Sequence, residues 1–209
     1  MFEVHCVPHL PIRFPEREIF FRLGGNTAKT ILPPEVQSSY RKTALQAYEI
    51  CRPCGCWTVI SAEIQPDGMV LDGNIFIPGS NFAARCAGVS LMWCGAVTVG
   101  REVLVQRDSQ QQISAGAVYD AVAGECADEA MDILQKQCTA ELRRHGCTLM
   151  ERRYSPGYGD MPLSVQKFFY ERLNLSQLDI ELTVNNFLIP EKSVTAFAGV
   201  IKDPDHDQK

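Results

Sequence analysis

The chain has 209 residues, of which 45% are hydrophobic and 22% charged, and its formal net charge of −5 gives a pI near 5.4. That composition suits one globular domain, residues 1–209, with a real core. Its 20 Lys and Arg are scattered along an acidic chain, which excludes the massed positive charge of a nucleic-acid binder or an anionic-membrane ligand.

No apolar run approaches the roughly 20 residues of a membrane span, and residues 1–10 lack the basic start and apolar stretch of a signal peptide. A cytoplasmic protein is therefore expected. The nine cysteines then read as buried reduced thiols rather than a disulfide framework.

Residues 1–35, which hold Pro8, Pro11, Pro15, Pro33 and Pro34, read as an irregular N-terminal segment. Residues 35–50 follow with Val36, Tyr40, Ala44, Ala47 and Tyr48 near a helical period. Two β-rich runs, 57–64 and 69–77, flank Pro66-Asp67-Gly68, which is good hairpin chemistry. A short helix over 82–86 ends at Gly88, and the nearly all-apolar run 89–99 reads as a buried strand. The longest helical pattern spans 113–144. Its first half is rich in Ala and Gly, which allows close approach by a neighbouring element, and Gly146 supplies its stop. A loop over 152–161, a helix over 162–173, strands over 179–184 and 193–201, and a frayed tail over 203–209 complete the chain. Helices mixed with hairpin-like strands favour an α+β fold, a twisted antiparallel or mixed sheet with packed helices.

The loop Arg153-Tyr154-Ser155-Pro156-Gly157-Tyr158-Gly159-Asp160 carries the densest chemistry. Pro156-Gly157 is the expected centre of a type II turn. Gly157 and Gly159 remove side chains that would keep a ligand from the backbone. Arg153 can clamp a carboxylate with two parallel hydrogen bonds, Tyr158 offers an aromatic face to a cation, and Asp160 can cap the following helix. The set suits an amino-acid-like ligand with a positive centre. A plain Pro-Gly connection between two helices accounts for the same residues, and on chemistry alone both readings stand.

The stretch Arg153-x-x-Pro156-Gly157-Tyr158 resembles the S-adenosylmethionine-binding loop of the reactivation domain of cobalamin-dependent methionine synthase. The likeness continues into Leu182-Thr183 and Ile189-Pro190-x-x-Ser193-Val194-Thr195, with Thr98-x-Gly100 and Asp120-Ala121-Val122 as looser landmarks. It covers roughly the C-terminal two-thirds of the chain and is thin before residue 80. The resemblance implies a stand-alone relative with the activation-domain fold, which binds S-adenosylmethionine for the reductive remethylation of cob(II)alamin. Arg153 would hold the ligand carboxylate, Ser155 and Gly157 would offer backbone groups, and Tyr158 would lie beside them. An acidic residue on the long helix, Asp128 or its neighbour Glu129, would meet the amino group.

Two departures from the family stand out: its Asp in an N-terminal lobe has no match here, and its ligand contacts beyond the last strand are missing. The chain also has no Asp-x-His-x-x-Gly cobalt-ligand sequence. Cobalamin would therefore be carried by a partner, a methionine synthase or another corrinoid methyltransferase, with an electron-donor protein as a further partner. The chain itself would be the accessory subunit. A non-catalytic corrinoid-protein interaction module or ligand sensor of the same fold is the alternative.

A second alternative is a Cys-ligated metal redox protein organised by Cys51-x-x-Cys54-x-Cys56, although no fourth ligand lies nearby and incidental thiols fit as well. Gly24-Gly25-Asn26-Thr27-Ala28-Lys29-Thr30 echoes a phosphate loop but lacks its second glycine and a preceding strand. Trp57 and Trp93 fall in strand candidates and read as core.

Overall fold

A computed structural model describes residues 3–25 and 32–203. The phosphate-loop echo falls largely on residues 26–31, and the tail beyond Asp203 on residues 204–209; both lie outside the described residues. The N-terminal segment is not irregular throughout. It forms a short strand β1 (His5–Val7) and a helix α1 (Glu16–Arg22). Pro15 precedes the first helical residue, Glu16 and Glu18 sit in the first turn, and Ile19 is fully buried. Proline density hid a helix that Pro15 in fact starts, and acidic residues there complement the helix dipole.

Helix α2 (Pro34–Ile50) leads to a long strand β2 (Cys54–Gln65), and the Pro66-Asp67 turn joins it to β3 (Gly68–Leu71). The second β-rich run is two strands rather than one. Asp72 and Gly73 both take positive φ, the signature of an Asp-Gly turn, and β4 (Ile75–Pro78) folds back on β3. Helix α3 (Ser80–Arg85), strand β5 (Leu91–Thr98) and a helix α4 (Glu102–Asp108) follow. The long helix α5 (Ile113–Leu142) ends in a 3-10 turn and a left-handed Gly146. Strand β6 (Cys147–Leu149), helix α6 (Gln166–Arg172), the two-residue strands β7 (Glu181–Leu182) and β8 (Leu188–Ile189), and strand β9 (Ser193–Lys202) complete the fold. Asp203 is not frayed, since its amide donates to the Gly146 carbonyl at 2.9 Å.

The main sheet is antiparallel, in the order β4-β3-β2-β5-β9-β6, with β1 on the free edge of β2. Strand β5 lies at its centre and is buried on both faces, which is why its sequence does not alternate. Met92, Cys94 and Ala96 face one core, where Phe197 is surrounded by Phe82, Phe168 and Phe169. Trp93 and Val97 face the other, against Met131 and Leu134 of α5. Both tryptophans are core residues. The Ala- and Gly-rich half of α5 is packed by α1, α2 and α4, which bury Ile19, Ala44, Ala47, Val103 and Leu104 against it.

Among the described residues the nine cysteines are free. Cys51 joins the helical core while Cys56 joins the aromatic core on the far side of the sheet. The Cys51-Cys54-Cys56 cluster is therefore not assembled, and no group of three or more His, Cys, Asp or Glu among the described residues could hold a metal ion. No described helix is long and apolar enough to cross a membrane.

Candidate functional site

The site forms where a strand peels away from the sheet. After β6 pairs with the end of β9 and the Met150 amide donates to the Gly199 carbonyl at 2.8 Å, residues 151–153 bulge outward, and Tyr154 returns to exchange both main-chain hydrogen bonds with Phe197 at 2.8 and 2.9 Å. The chain then leaves for good. Pro156 begins a turn, Gly157 takes φ +87°, and the Tyr158 amide donates back to the Ser155 carbonyl at 3.3 Å. This is the expected type II turn. Beyond it, Ser193 to Thr195 of β9 have no strand on their outer side, and a groove of about 1520 Å³ opens there. One wall is α5, whose Asp128, Asp132, Gln135 and Lys136 recur at helical spacing. The other is the segment from Thr148 through Met161.

Arg153 points into this groove and is 26% exposed. Its Nη1 donates to Asp132 Oδ1 at 2.6 Å and to Gln135 Oε1 at 2.7 Å. Gln135 in turn donates from Nε2 to the carbonyls of Met150 and Glu151 at 2.8 and 3.3 Å. The guanidinium is thus held by one nitrogen, and its holder is pinned to the bulge that precedes it. No described residue hydrogen-bonds Nε or Nη2, so that edge keeps the planar fork that matches a carboxylate. Asp132 and Gln135 escaped the sequence reading, although they share a helical face with Asp128 at four- and seven-residue spacing.

The other expected residues are divided by the geometry. Ser155 and Tyr158 line the groove, Tyr158 being 77% exposed. Gly157 serves the turn and is not on the groove wall, whereas Gly159 is, with open space around it. Asp128 lines the groove and Glu129 does not. Asp128 accepts from Arg22 Nη2 at 2.9 Å. Burial raises its carboxyl above the ordinary aspartate value, against the opposing pull of Arg22. Arg22 also bonds Glu125 through Nε, so the N-terminal third supplies part of the wall.

Asp160 corrects the sequence reading, because it caps a different helix. It accepts from Ser80 Oγ at 2.7 Å and from the Asn81 amide at 2.9 Å, closing the first turn of α3 rather than the helix that follows it. The Asn81 N–H, and then the Ser80 hydroxyl, hold its carboxyl below the ordinary aspartate value. A depressed value in the fold means that this cap is intact above the unfolded value and is lost as pH falls through the folded one. A carbon-13 titration of the Asp160 carboxyl should therefore show a midpoint below that of an unperturbed aspartate, and Asp160→Asn should remove this acid-sensitive component. A midpoint at or above the ordinary value would contradict the cap.

No protein-family model matches the sequence, and no curated protein matches it. Solved structures do match. A crystal structure of the MetH reactivation domain bound to AdoHcy aligns over 95% of this chain and 78% of its own, with a TM-score of 0.66 and 15% sequence identity. The two share a fold. The α+β architecture, a curled antiparallel sheet with helices packed on it, is that of the MetH reactivation domain. At this identity the likeness speaks for the fold, and the groove's chemistry has to be argued from the residues of this chain.

Proposed function

We propose that the groove binds S-adenosylmethionine and its demethylated product S-adenosylhomocysteine, and that the chain assists the reductive remethylation of cob(II)alamin on a partner cobalamin-dependent methyltransferase. The observation that carries this reading is the state of Arg153. One end is fastened to Asp132 and Gln135, and its open Nε–Nη2 edge faces a groove large enough for a nucleoside-linked amino acid. The ligand carboxylate takes that edge. The ammonium lies toward Asp128 and Asp132, which present the groove's negative charge on the α5 wall. Further support comes from the AdoHcy named for the MetH reactivation domain of the same fold.

The chemistry asks little of titratable groups. A sulfonium already carries an activated leaving group, so the chain has to place the methyl and exclude water. A wall made of clamps, backbone and an exposed tyrosine meets that need. The electron and the cobalamin both belong to partner proteins.

Calorimetry with two ligands tests the assignment. S-adenosylhomocysteine should bind one to one, and 5′-methylthioadenosine, which keeps the nucleoside and lacks the amino acid, should bind at least about tenfold more weakly, the equivalent of 1.4 kcal/mol. Equal affinities would place the amino-acid end outside the site.

A further inference from the structure

A second polar device lies at the other end of the groove, on β9 and the start of α6. Gln166 is 8% exposed and Thr195 only 1%. The Thr195 hydroxyl donates to Gln166 Oε1 at 2.7 Å, which ties the oxygen end of the amide to the strand. Gln166 Nε2 has no protein partner among the described residues. Nor is it sealed among the buried unpartnered atoms, so it opens on the groove that Gln166 lines. A carboxamide this buried, with its oxygen occupied and its donor facing a cavity, is a costly arrangement unless something accepts from it.

The strand edge adds an acceptor beside that donor. Main-chain groups alternate in direction along a strand. Those of Phe197 both turn outward to Tyr154, so those of Thr195, two residues earlier, turn to the same side. The chain has left that edge by then, and no described main-chain group pairs with Thr195 there. A donor from Gln166 next to the Thr195 carbonyl is the complement of a 6-aminopurine edge. The amide N–H meets the ring nitrogen, and the carbonyl accepts from the exocyclic amine. Tyr154, next in sequence to Arg153, stands opposite Phe197, two strand residues from Thr195, and Arg153, Gln166 and Thr195 all line the same groove.

We infer that Gln166, oriented by Thr195, is the residue that selects adenine in the ligand. This rests on the proposed binding of S-adenosyl compounds and adds the base preference to it. In inosine the ring nitrogen becomes a donor and the amine a carbonyl, so both contacts turn repulsive. A site built on hydrogen bonds rejects the mismatched partner strongly, because its own buried groups are then left unpaired.

The test is calorimetry with S-adenosylhomocysteine and S-inosylhomocysteine, on the wild type and on Gln166→Leu. The wild type should bind the inosyl compound at least tenfold more weakly, and Gln166→Leu should lose affinity for the adenosyl compound and most of the preference. Equal binding of both compounds by the wild type overturns the inference and leaves the amino-acid clamp standing. Retention of the full preference by Gln166→Leu removes Gln166 from the role. Failure of S-adenosylhomocysteine to bind removes the proposed function and this inference with it. If Gln166→Leu does not fold, Gln166→Met, which keeps the side-chain volume and removes the amide, takes its place in the same comparison.

Discussion

Replacing Arg153 by alanine is expected to weaken S-adenosylhomocysteine binding by about 2–4 kcal/mol, the usual range for a charge-assisted pair that loses one partner. That is a loss of roughly 30- to 1000-fold. The fold should survive. The carboxylate left behind, Asp132, is 45% exposed and can be hydrated, and Gln135 keeps its bonds to Met150 and Glu151. Arg153→Lys should fall between, because a lysine restores the charge without the planar fork. Calorimetry on the three proteins, with thermal unfolding as a control, gives the answer. Unchanged affinity in the alanine variant would take Arg153 out of the site.

The second large effect is expected at Phe197, where fold and site meet. Its ring is fully buried and contacts Phe82, Phe168 and Phe169 at centroid distances of 5.9, 5.7 and 4.3 Å. Its main chain holds Tyr154, the last residue tied to the sheet before the loop of residues 155–161 departs. Phe197→Ala should cost about 3–5 kcal/mol through lost burial and the cavity left behind. In a chain of this length that lowers the melting temperature by roughly 6–20 °C. Ligand affinity should fall as well, although Phe197 need not touch the ligand, because Tyr154 packs on Phe82 at 4.8 Å and loses its footing. Urea unfolding and calorimetry on the same variant separate the two effects. A stability loss under about 1 kcal/mol would mean that the aromatic cluster is not the core of the fold.

The long elements and the turn beside Arg153 were legible in the sequence because each obeys a local rule. Helix α5 shows its period and its glycine stop, the β2–β3 hairpin shows its Pro-Asp turn, and Pro156-Gly157 dictates the bend beside Arg153. What escaped depends on other parts of the chain. Helix α1 is only seven residues long and is held by the burial of Ile19 against α5, which no local signal reports. Strand β6 is three residues whose only reason to extend is the edge of β9. Asp160 looked like a cap for the next helix and caps α3 instead, a choice made by the proximity of residues 80 positions apart. Among the candidate residues, Arg153 could be singled out by the chemistry of its loop, and Asp128 only through the family resemblance. The Arg153 anchor on Asp132 and Gln135 needed the distance between a helix and a bulge, and Gln166 needed the burial that leaves one amide nitrogen open.

A crystal structure of the complex with S-adenosylhomocysteine tests the central claim most directly. The ligand carboxylate should lie on Nε and Nη2 of Arg153, while Nη1 keeps its bonds to Asp132 and Gln135. A ligand bound elsewhere, or one whose carboxylate makes no contact with this guanidinium, would contradict it.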